Sequence, residues 1–313
     1  MERNLTIMAK ADMQVADLIA DGGYLQPEQA AQFILKVIEE SVVLKMIDVR
    51  GIKSHTQLID KVGINGWVLK PGTSGQALPV VDRSQPTTSQ TTLTTHLMKG
   101  EIRLNDEVLE DNIEAGTFKD TVMAMMAEHV ALDMDRVAVN GDTAGSTGTV
   151  LDLIDGMLVS ATSHPVNGGT AYCNKDQFKN ALKAMPSPYL RNRANMRFLT
   201  SVLAETDYRD YLAQRATVLG DKFLMDFAPV PYSGIPIIPV PVFPDNLGIG
   251  ANCTDILLLD PKNARWGVWR KVKVETDRDI TTGEWIMVAT VRAGFAYVEE
   301  DAVVKVDRVK TSG

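Results

Sequence analysis

The sequence predicts an α+β fold, and three observations support this prediction. Apolar side chains recur at helical spacing from residue 118 to residue 137, and Asn140-Gly141 follows as a helix stop. Residues 150–255 then alternate short helical and strand patterns, and residues 255–306 carry strand patterns. A chain of 313 residues, 45% of them hydrophobic, is long enough to bury a sizeable core beneath these elements.

The pattern that starts at residue 118 indicates one long helix. Thr117 can cap its N-terminus, and at ~1.5 Å per residue the helix would be roughly 35 Å long. Before it, the acidic residues 105–111 (Asn-Asp-Glu-Val-Leu-Glu-Asp) predict a short turn of helix. Beyond it, Gly145-Ser146-Thr147-Gly148 is typical of a flexible joint.

The N-terminal part has a weaker pattern. Residues 1–25 end in Gly22-Gly23 and are interpreted as an arm. Pro27 suits the first turn of a helix, and apolar residues continue at helical spacing to about Ile47. This pattern predicts an amphipathic helix with one apolar stripe.

Residues 52–104 are rich in Thr, Ser, Gly and Pro, and they offer few apolar side chains for a core. A strand with a turn signal is predicted at 64–69, a second strand at 91–104, and a flexible polar tip between them. An isolated two-stranded ribbon is only marginally stable in water. We therefore expect this ribbon to lie on another surface, that of a neighbouring subunit.

The second half of the chain predicts a series of short elements. The patterns indicate helices at 177–185 and 203–214, and strands at 196–200, 255–260, 268–274, 285–292 and 302–306. The segment Gly234–Pro244 contains four prolines, which cannot donate backbone hydrogen bonds, so an edge strand or an extended segment is expected there.

Charge and composition argue against several classes of function. The net charge is -8 and no basic run occurs, which disfavours tight wrapping of DNA. No run of about 20 apolar residues predicts a membrane-spanning helix, and the first ten residues lack a signal-peptide pattern. Cys173 and Cys253 do not have zinc-site spacing, and two free thiols are expected.

No catalytic or metal-binding motif stands out. The four histidines lie outside any HExxH or metal-ligand spacing: His55, His96, His129 and His164. Residues 141–148 look like a phosphate-binding loop, but they lack its GK[ST] ending and follow a helix, so we interpret them as a hinge. The acidic residues 106–114 fit a solvated face, or ion pairs with a neighbour, better than a metal site. We predict no catalytic residue, no metal site and no cofactor.

Several short motifs occur in a fixed order along the chain. The acidic turn 105–111 precedes the long helix, and Val139-Asn140-Gly141-Asp142 and then Ile154-Asp155-Gly156-Met157-Leu158 follow it. Gly234–Pro244, Asp255–Asp260 and Asp301–Lys305 continue the series. Each motif alone is weakly specific, but their order and spacing cover nearly the whole chain. In this order the sequence resembles the major capsid proteins of tailed bacteriophages with the Hong Kong 97-type fold.

The resemblance implies a layout of four parts. Residues 1–51 would be the N-arm and its helix, and residues 52–104 the extended E-loop. Residues 105–146 and 256–313 would form the P-domain with its long spine helix, and residues 147–255 the A-domain at the centre of each pentamer and hexamer. The E-loop would lie across the P-domain of the next subunit, which would explain why residues 52–104 lack a core of their own.

The same resemblance implies a function and partners. The chain would be the major capsid protein that assembles through pentamers and hexamers into an icosahedral shell around double-stranded DNA, without sequence-specific binding. Besides other copies of itself, its partners would be a portal protein, a separate scaffolding protein (if any, since only a short arm precedes the first predicted helix) and, in some members, a decoration protein. No membrane partner is expected. The shell would be assembled in the cytoplasm of the bacterial host and retained in the virion. Intersubunit contacts are expected from residues of the E-loop and the spine-helix region: Trp67, Lys70, Arg83, Arg103, Glu107, Glu110 and Asp111.

Two other hypotheses are compatible with parts of the sequence. An encapsulin, the shell protein of a bacterial nanocompartment, has a similar fold, but nothing in the sequence marks a dock for cargo. An uncharacterised α/β enzyme would need a convergent set of polar residues, and no such set can be assembled from the sequence.

Some members of the resembled family join their subunits by an isopeptide bond between a Lys of the E-loop and an Asn of a neighbouring P-domain, assisted by a Glu. In this sequence Gly283 or Thr282 aligns with the Asn, and Thr290 aligns with the Glu. Lys61 and Lys70 remain in the loop, Glu284 lies near the aligned positions, and no Asn follows Asn263. We therefore expect a shell held by noncovalent contacts alone.

Overall fold

The computed structural model describes residues 12–13, 42–64, 66–105, 107, 118–145, 148–214, 228–247 and 252–311. The helices of this part are α1 (Val43–Met46), α2 (Phe118–Asn140), α3 (Met157–Ser160), α4 (Lys175–Ala184) and α5 (Val202–Ala213). The first strands are β1 (Asp12–Met13), β2 (Asp48–Gly51), β3 (Thr56–Ile64), β4 (Pro86–Thr94), β5 (His96–Asn105) and β6 (Pro165–Asn167). The later strands are β7 (Arg197–Thr200), β8 (Pro231–Tyr232), β9 (Ile235–Pro239), β10 (Cys253–Leu259), β11 (Ala264–Asp279), β12 (Glu284–Tyr297) and β13 (Val304–Lys310). This mixture of helices and sheets confirms the predicted α+β class.

The described strands form two sheets and one ribbon. The first sheet has the order β1-β5-β12-β11-β2, and the second has the order β6-β13-β10-β7-β9-β8. Strands β3 and β4 pair only with each other, in an antiparallel ribbon from Thr56–Thr94 to Ile64–Pro86. The fold therefore presents two packed bodies of sheet and a two-stranded extension.

The long helix α2 lies on one face of the five-stranded sheet. Alternate residues of β12 are buried toward the helix, as expected for a strand with one covered face. The contact is made by Phe118, Val122 and Met126 of α2 with Leu104, Met287 and Ala289 of the sheet. Asp135 of α2 accepts hydrogen bonds from the backbone N–H groups of Val42 and Leu44, both 3.1 Å long, and so holds the start of α1 against the long helix.

The six-stranded sheet has its own apolar core. All seven residues of β10 are buried, as befits a strand in the middle of a sheet. On one side, Phe178 of α4 packs edge-on against Phe198 and Tyr208, with ring centroids 4.9 and 4.8 Å apart. The proline-containing strand β9 has only the two-residue β8 outside it, close to the edge position predicted for the segment.

The predicted elements of the second half are mostly confirmed. Helices α4 and α5 begin and end within two residues of their predictions, and α2 spans its predicted 118–140. Strands β11 and β12 are longer than predicted, because each continues into the ladder with the other from Ala264–Tyr297 to Asp279–Glu284. Most of the predicted N-terminal helix lies outside the described residues, as does Thr117; the described remainder is α1, which ends at Met46.

Two strand predictions in the 52–104 region were wrong. The strand predicted at 64–69 ends at Ile64, since Gly66 adopts a left-handed conformation (φ 81°) and no partner strand continues beyond Pro86. The single strand predicted at 91–104 is two strands, because the chain leaves the ribbon at Thr95 and enters the five-stranded sheet. Thr95 is buried and donates hydrogen bonds from its N–H and its hydroxyl to the carbonyl of His55, both 2.9 Å long.

The sheets also divide the chain at other positions than the four predicted ranges. Strand β5, within the predicted E-loop range, pairs with β12 of the five-stranded sheet. Strands β10 and β13, which fall largely within the predicted P-domain range 256–313, belong to the six-stranded sheet. The four-part layout itself stays a prediction.

Both cysteines are free and buried, as expected. Burial raises the pKa of the Cys173 thiol, and the negative charges of Asp207 and Glu205 raise it further. This thiol is therefore protonated at neutral pH and serves as a small apolar side chain of the second core.

A buried carboxyl group makes the second sheet sensitive to pH. Burial raises the pKa of Asp255 from 3.8 to about 6, the positive charge of Lys305 opposes this rise, and Asp307 adds to it. A carboxyl group whose folded-state pKa is raised stabilises the fold below its unfolded-state pKa, and this contribution is lost as the pH rises through about 6.

We expect Asp255→Asn to raise the free energy of unfolding at pH 8 by up to about 3 kcal/mol, because the amide carries no charge to bury. At pH 4 the variant and the native chain should differ little. Urea unfolding at both pH values measures the difference, and the exposed Asp301→Asn is the control. Equal stability of the Asp255 variant and the native chain at pH 8 would contradict the prediction.

Candidate intersubunit surfaces

The ribbon of β3 and β4 is anchored to the rest of the chain only at its root. Ile59 and Leu93 are buried there, against Ile52, Ala296 and Val298. Near the root, the Lys61 ammonium lies 3.3 Å from a carboxylate oxygen of Glu299, and the Thr91 hydroxyl donates to the Val298 carbonyl over 3.4 Å. These contacts all involve one face of the ribbon, since Ile59, Lys61, Leu93 and Thr91 alternate with outward residues.

Two facing glycines let the ribbon root cross the five-stranded sheet at close range. Gly267 of β11 pairs with Gly294 of β12, directly beneath the end of β4. A Cβ atom on Gly294 would lie 2.0 Å from the carbonyl oxygen of Thr94, and one on Gly267 would lie 2.5 Å from the Leu93 side chain. The absence of side chains at this pair therefore sets where the ribbon leaves the body of the protein.

The opposite face and the tip of the ribbon are apolar and exposed. Trp67, Leu69 and Val81 are 84%, 87% and 89% exposed, and several neighbours are also exposed: Leu58, Val62, Ile64, Val68, Leu78 and Val80. A soluble monomer rarely exposes so many large apolar side chains together, and such patches mark interaction surfaces. The ribbon is thus built to contact another molecule.

The tip is nevertheless organised by its own hydrogen bonds. The Ser84 hydroxyl donates to the Trp67 carbonyl over 3.3 Å, and the Arg83 Nε donates to the Leu78 carbonyl over 3.2 Å. A turn closes where the Gln76 N–H donates to the Thr73 carbonyl, with Gly75 in the left-handed region at φ 80°. These bonds hold the apolar side chains in one place without burying them.

Of the seven predicted contact residues, the structure brings three together in the ribbon tip: Trp67, Lys70 and Arg83, all exposed. Arg103 lies elsewhere, on β5, and its guanidinium pairs with Glu101 (2.8 Å) and Glu284 (3.5 Å) of its own chain. Glu107 is exposed just beyond β5, and its N–H donates to the Asn105 side chain over 3.1 Å. Glu110 and Asp111 lie outside the described residues.

Sequence reasoning missed two groups of exposed residues. Val80 and Val81 fall in a stretch that was predicted as a polar tip, and the exposed Ile280 ends the β11–β12 hairpin. It also missed the charges on the face of the five-stranded sheet opposite α2, because only the strand register shows which charges are neighbours. The alternation of charged and apolar residues in β5 and β12 was the signal that could have revealed that face.

The glycine-rich loop after α2 uses its donors within the chain. The N–H groups of Thr143, Ala144 and Gly148 donate to the carboxylates of Asp155, Asp142 and Asp152, over 2.8, 2.9 and 2.7 Å. A phosphate-binding loop needs such N–H groups free for the ligand. Their occupation by carboxylates favours the structural interpretation of this loop.

A polar cleft of about 340 Å³ lies between the ribbon root, this loop and the end of β12. Its carboxylates also have structural partners: Asp155 accepts from Thr143, and Glu300 accepts from the N–H groups of Thr162 and Ser163 over 2.7 and 2.6 Å. Burial by itself would raise the pKa of Glu300, but the hydrogen bonds from Ser163 and Thr162 outweigh it and lower the pKa. Both carboxylates thus tie loops together.

Among the described residues, no group of three or more His, Cys, Asp or Glu side chains converges on a possible metal position. His129 is exposed on α2, and His55 and His96 lie 6.4 Å apart at the ribbon root. No helix in the described part is long and apolar enough to cross a membrane.

Residues 22–307 match the model of the phage capsid family. The chain belongs to the phage capsid family. A curated member of similar sequence is the putative prophage capsid protein YqbE of Bacillus subtilis (strain 168), which is 35% identical over 312 residues that cover 98% of this chain and 99% of YqbE.

Solved capsid structures show the same fold. The capsid of a native GTA particle superposes with a TM-score of 0.66, at 17% identity, over 93% of this chain and 98% of that one. The capsid structure of Mycobacterium phage Cain gives a TM-score of 0.59, at 14% identity, over 96% of this chain and 98% of that one. The SrpI encapsulin of Synechococcus elongatus PCC 7942 gives 0.62, at 11% identity, over 96% and 98%. The predicted Hong Kong 97-type capsid fold is confirmed, and this phage capsid protein is a structural component of a shell.

Proposed function

We propose that this phage capsid protein is the major capsid protein of a tailed phage or prophage, and that it assembles through pentamers and hexamers into an icosahedral shell around double-stranded DNA. The observation that carries the proposal is the ribbon: its tip exposes Trp67, Leu69 and Val81, while its root is fixed to the body. A surface of this kind is stabilised only when another subunit covers it.

The proposed layout follows the sheets. The ribbon from Thr56 to Thr94 acts as the E-loop, and the five-stranded sheet with α2 acts as the P-domain with its spine helix. The six-stranded sheet, including β10 and β13, acts as the A-domain at the capsomer centre. The ribbon of one subunit then lies on the P-domain of the next, and such head-to-tail contacts close into rings.

Further partners belong to this proposal. A portal protein would occupy one vertex, a separate scaffolding protein would guide assembly, and a decoration protein would bind the outside of the shell if one is present. Assembly would take place in the cytoplasm of the bacterial host. The shell would act without catalysis, since the carboxylates of the polar cleft hold loops rather than face an open site.

An encapsulin shell is the second candidate, because the SrpI encapsulin has the same fold. The 35% identity to a prophage capsid protein over nearly the whole chain favours the phage function over this candidate. The two functions differ in their contents, DNA in one case and an enzyme cargo in the other.

Electron microscopy of the purified protein tests the proposal. The chain should be expressed in a bacterium alone and then with a candidate scaffolding protein, and each lysate should be fractionated by sedimentation. Closed particles with hexamers and pentamers are expected. Small shells with bound enzyme would favour the encapsulin function, and a protein that stays unassembled under both conditions would contradict both.

Proteolysis should distinguish free from assembled subunits at the ribbon tip. We expect cleavage within residues 71–90 of unassembled subunits and protection of the same residues in shells, because the tip is exposed in the single chain and covered in the assembly. Mass spectrometry of the fragments locates the cut. Equal cleavage in both states would show that the tip is not an intersubunit contact.

The shell should be held without covalent bonds between subunits. Gly283 occupies the left-handed turn of the β11–β12 hairpin, and Thr290 pairs with Lys273 across the sheet, so neither position supplies an amide or a carboxylate. Boiled particles on a reducing, denaturing gel should give one band near 34.3 kDa. A ladder of pentamers and hexamers that survives boiling would refute this prediction.

A further inference from the structure

The face of the five-stranded sheet opposite α2, here called the outer face, carries charges in rows across the strands. The register places Lys99, Thr290 and Lys273 in one row and Glu101, Val288 and Glu275 in the next. In these central rows the charges balance, since Lys99 lies 3.5 Å from Glu101 and Lys273 pairs with Glu275. The centre of the outer face is therefore satisfied within the chain.

The end of the outer face near the ribbon root is basic. Arg270 of β11 lies directly opposite Arg292 of β12. Among the described residues neither guanidinium has a carboxylate partner, and the Arg292 Nε is buried without a hydrogen bond. Arg292 instead lies over the ring of the exposed Trp269, 4.5 Å from its centroid. Like charges directly opposite each other destabilise a strand pair, so this end favours an incoming carboxylate.

The opposite end of the same face is acidic. Asp279 of β11 lies directly opposite Glu284 of β12, and Asp277 is exposed beside them. Arg103 lies 3.5 Å from Glu284 but bonds Glu101 more closely, at 2.8 Å. Ile280, which follows Asp279 at the hairpin turn, is 86% exposed. This end thus combines negative charge with an exposed apolar side chain, and it lies roughly 27 Å along β12 from the basic end.

We infer that the basic end of the outer face in one subunit (Arg270, Arg292 and Trp269) binds the acidic end of the outer face in a second copy (Asp277, Asp279, Ile280 and Glu284). The inference rests on the self-association in the proposed function and names one of its contacts. The two ends are complementary in charge, and each brings an exposed apolar side chain that the contact would cover. Because the ends differ, the contact is head-to-tail and propagates from subunit to subunit around a ring.

The test compares folding with assembly in one set of variants. Arg270→Glu removes the repulsion with Arg292 inside the subunit, so the urea midpoint of unassembled protein should be unchanged or higher. The same change places two acidic ends together in the assembly, and the particulate fraction in sedimentation should fall about tenfold. Adding Asp277→Lys should restore the particulate fraction, because the charges at the two ends are then exchanged.

The control is Arg191→Glu, the same charge change at an exposed residue of the A-domain side. If the native chain forms no particles, the proposed function fails and not only this contact. If the native chain forms particles and Arg270→Glu forms them equally well, the inference is wrong. Loss of particles in Arg270→Glu without rescue by Asp277→Lys would mean that the basic end binds a different partner, and it would overturn the inference as well.

Discussion

Replacement of Gly141 by alanine is expected to prevent stable folding of the subunit. Gly141 follows the last residue of α2, and a Cβ atom there would lie 2.1 Å from the carbonyl oxygen of Ile154 and 2.7 Å from that of Val137. Both obstacles are backbone atoms, so no side-chain rotation relieves the clash. The expected loss in the free energy of unfolding is at least about 3 kcal/mol.

The reason is a close approach of two backbone segments. The Gly156 N–H donates to the Gly141 carbonyl over 2.8 Å, and the Asp142 N–H donates to the Leu151 carbonyl over 2.9 Å. A Cβ atom on Gly156 would lie 2.7 Å from the Val139 carbonyl oxygen, so Gly156→Ala should have an effect of similar size. These two glycines belong to the Asn140-Gly141-Asp142 and Asp155-Gly156-Met157 motifs, whose presence in both places has this steric cause.

Soluble yield and urea unfolding measure the effect of each change. The matched control is Gly72→Ala, because a Cβ atom there meets no other atom within 4 Å. The control should fold and assemble like the native chain. A Gly141→Ala variant with native yield and native unfolding midpoint would show that the loop can rearrange and that the close approach is dispensable.

Replacement of Gly294 by alanine is expected to abolish shell assembly while leaving the six-stranded sheet folded. A Cβ atom on Gly294 would lie 2.0 Å from the Thr94 carbonyl oxygen and 3.2 Å from the Thr95 Cα, so the ribbon root must move away from the sheet. A displacement at the root is amplified along a ribbon of nine residue pairs, roughly 30 Å long. The tip would then miss its neighbour.

Gly267, which pairs with Gly294, provides a graded comparison. The obstacle at Gly267 is the Leu93 side chain at 2.5 Å, which is movable, and so Gly267→Ala should impair assembly less. The double variant Gly267→Ala with Leu93→Ala should recover part of the particulate fraction, because the smaller side chain makes room. No such rescue is available at Gly294, where the obstacle is backbone.

Sedimentation of expressed protein measures assembly, and near-ultraviolet circular dichroism follows the aromatic core around Phe178, Phe198 and Tyr208. Gly100→Ala is the control in the same sheet, since its Cβ atom would make an ordinary contact of 3.6 Å with Met126. Native levels of particles from Gly294→Ala would show that the position of the ribbon root does not govern assembly.

The sequence by itself determined the family, the class of fold and most individual elements. Helix α2 could be predicted because its apolar spacing is long and is followed by Asn140-Gly141, and helices α4 and α5 because their signals are local as well. The shortage of core residues between 52 and 104 was enough to predict a two-stranded ribbon that needs a second surface. Each of these inferences depends on residues that are neighbours in sequence.

Tertiary structure decided what depends on distant segments. The break at Thr95 could not be read from an alternation that runs unbroken through it, because the chain there passes from pairing with β3 to pairing with β12. The role of Gly294 depends on the backbone of Thr94, and the pairing of Arg270 with Arg292 depends on a register shift within β11. Cross-strand register and backbone clearance are sums over contacts between remote parts of the chain, so local patterns do not contain them.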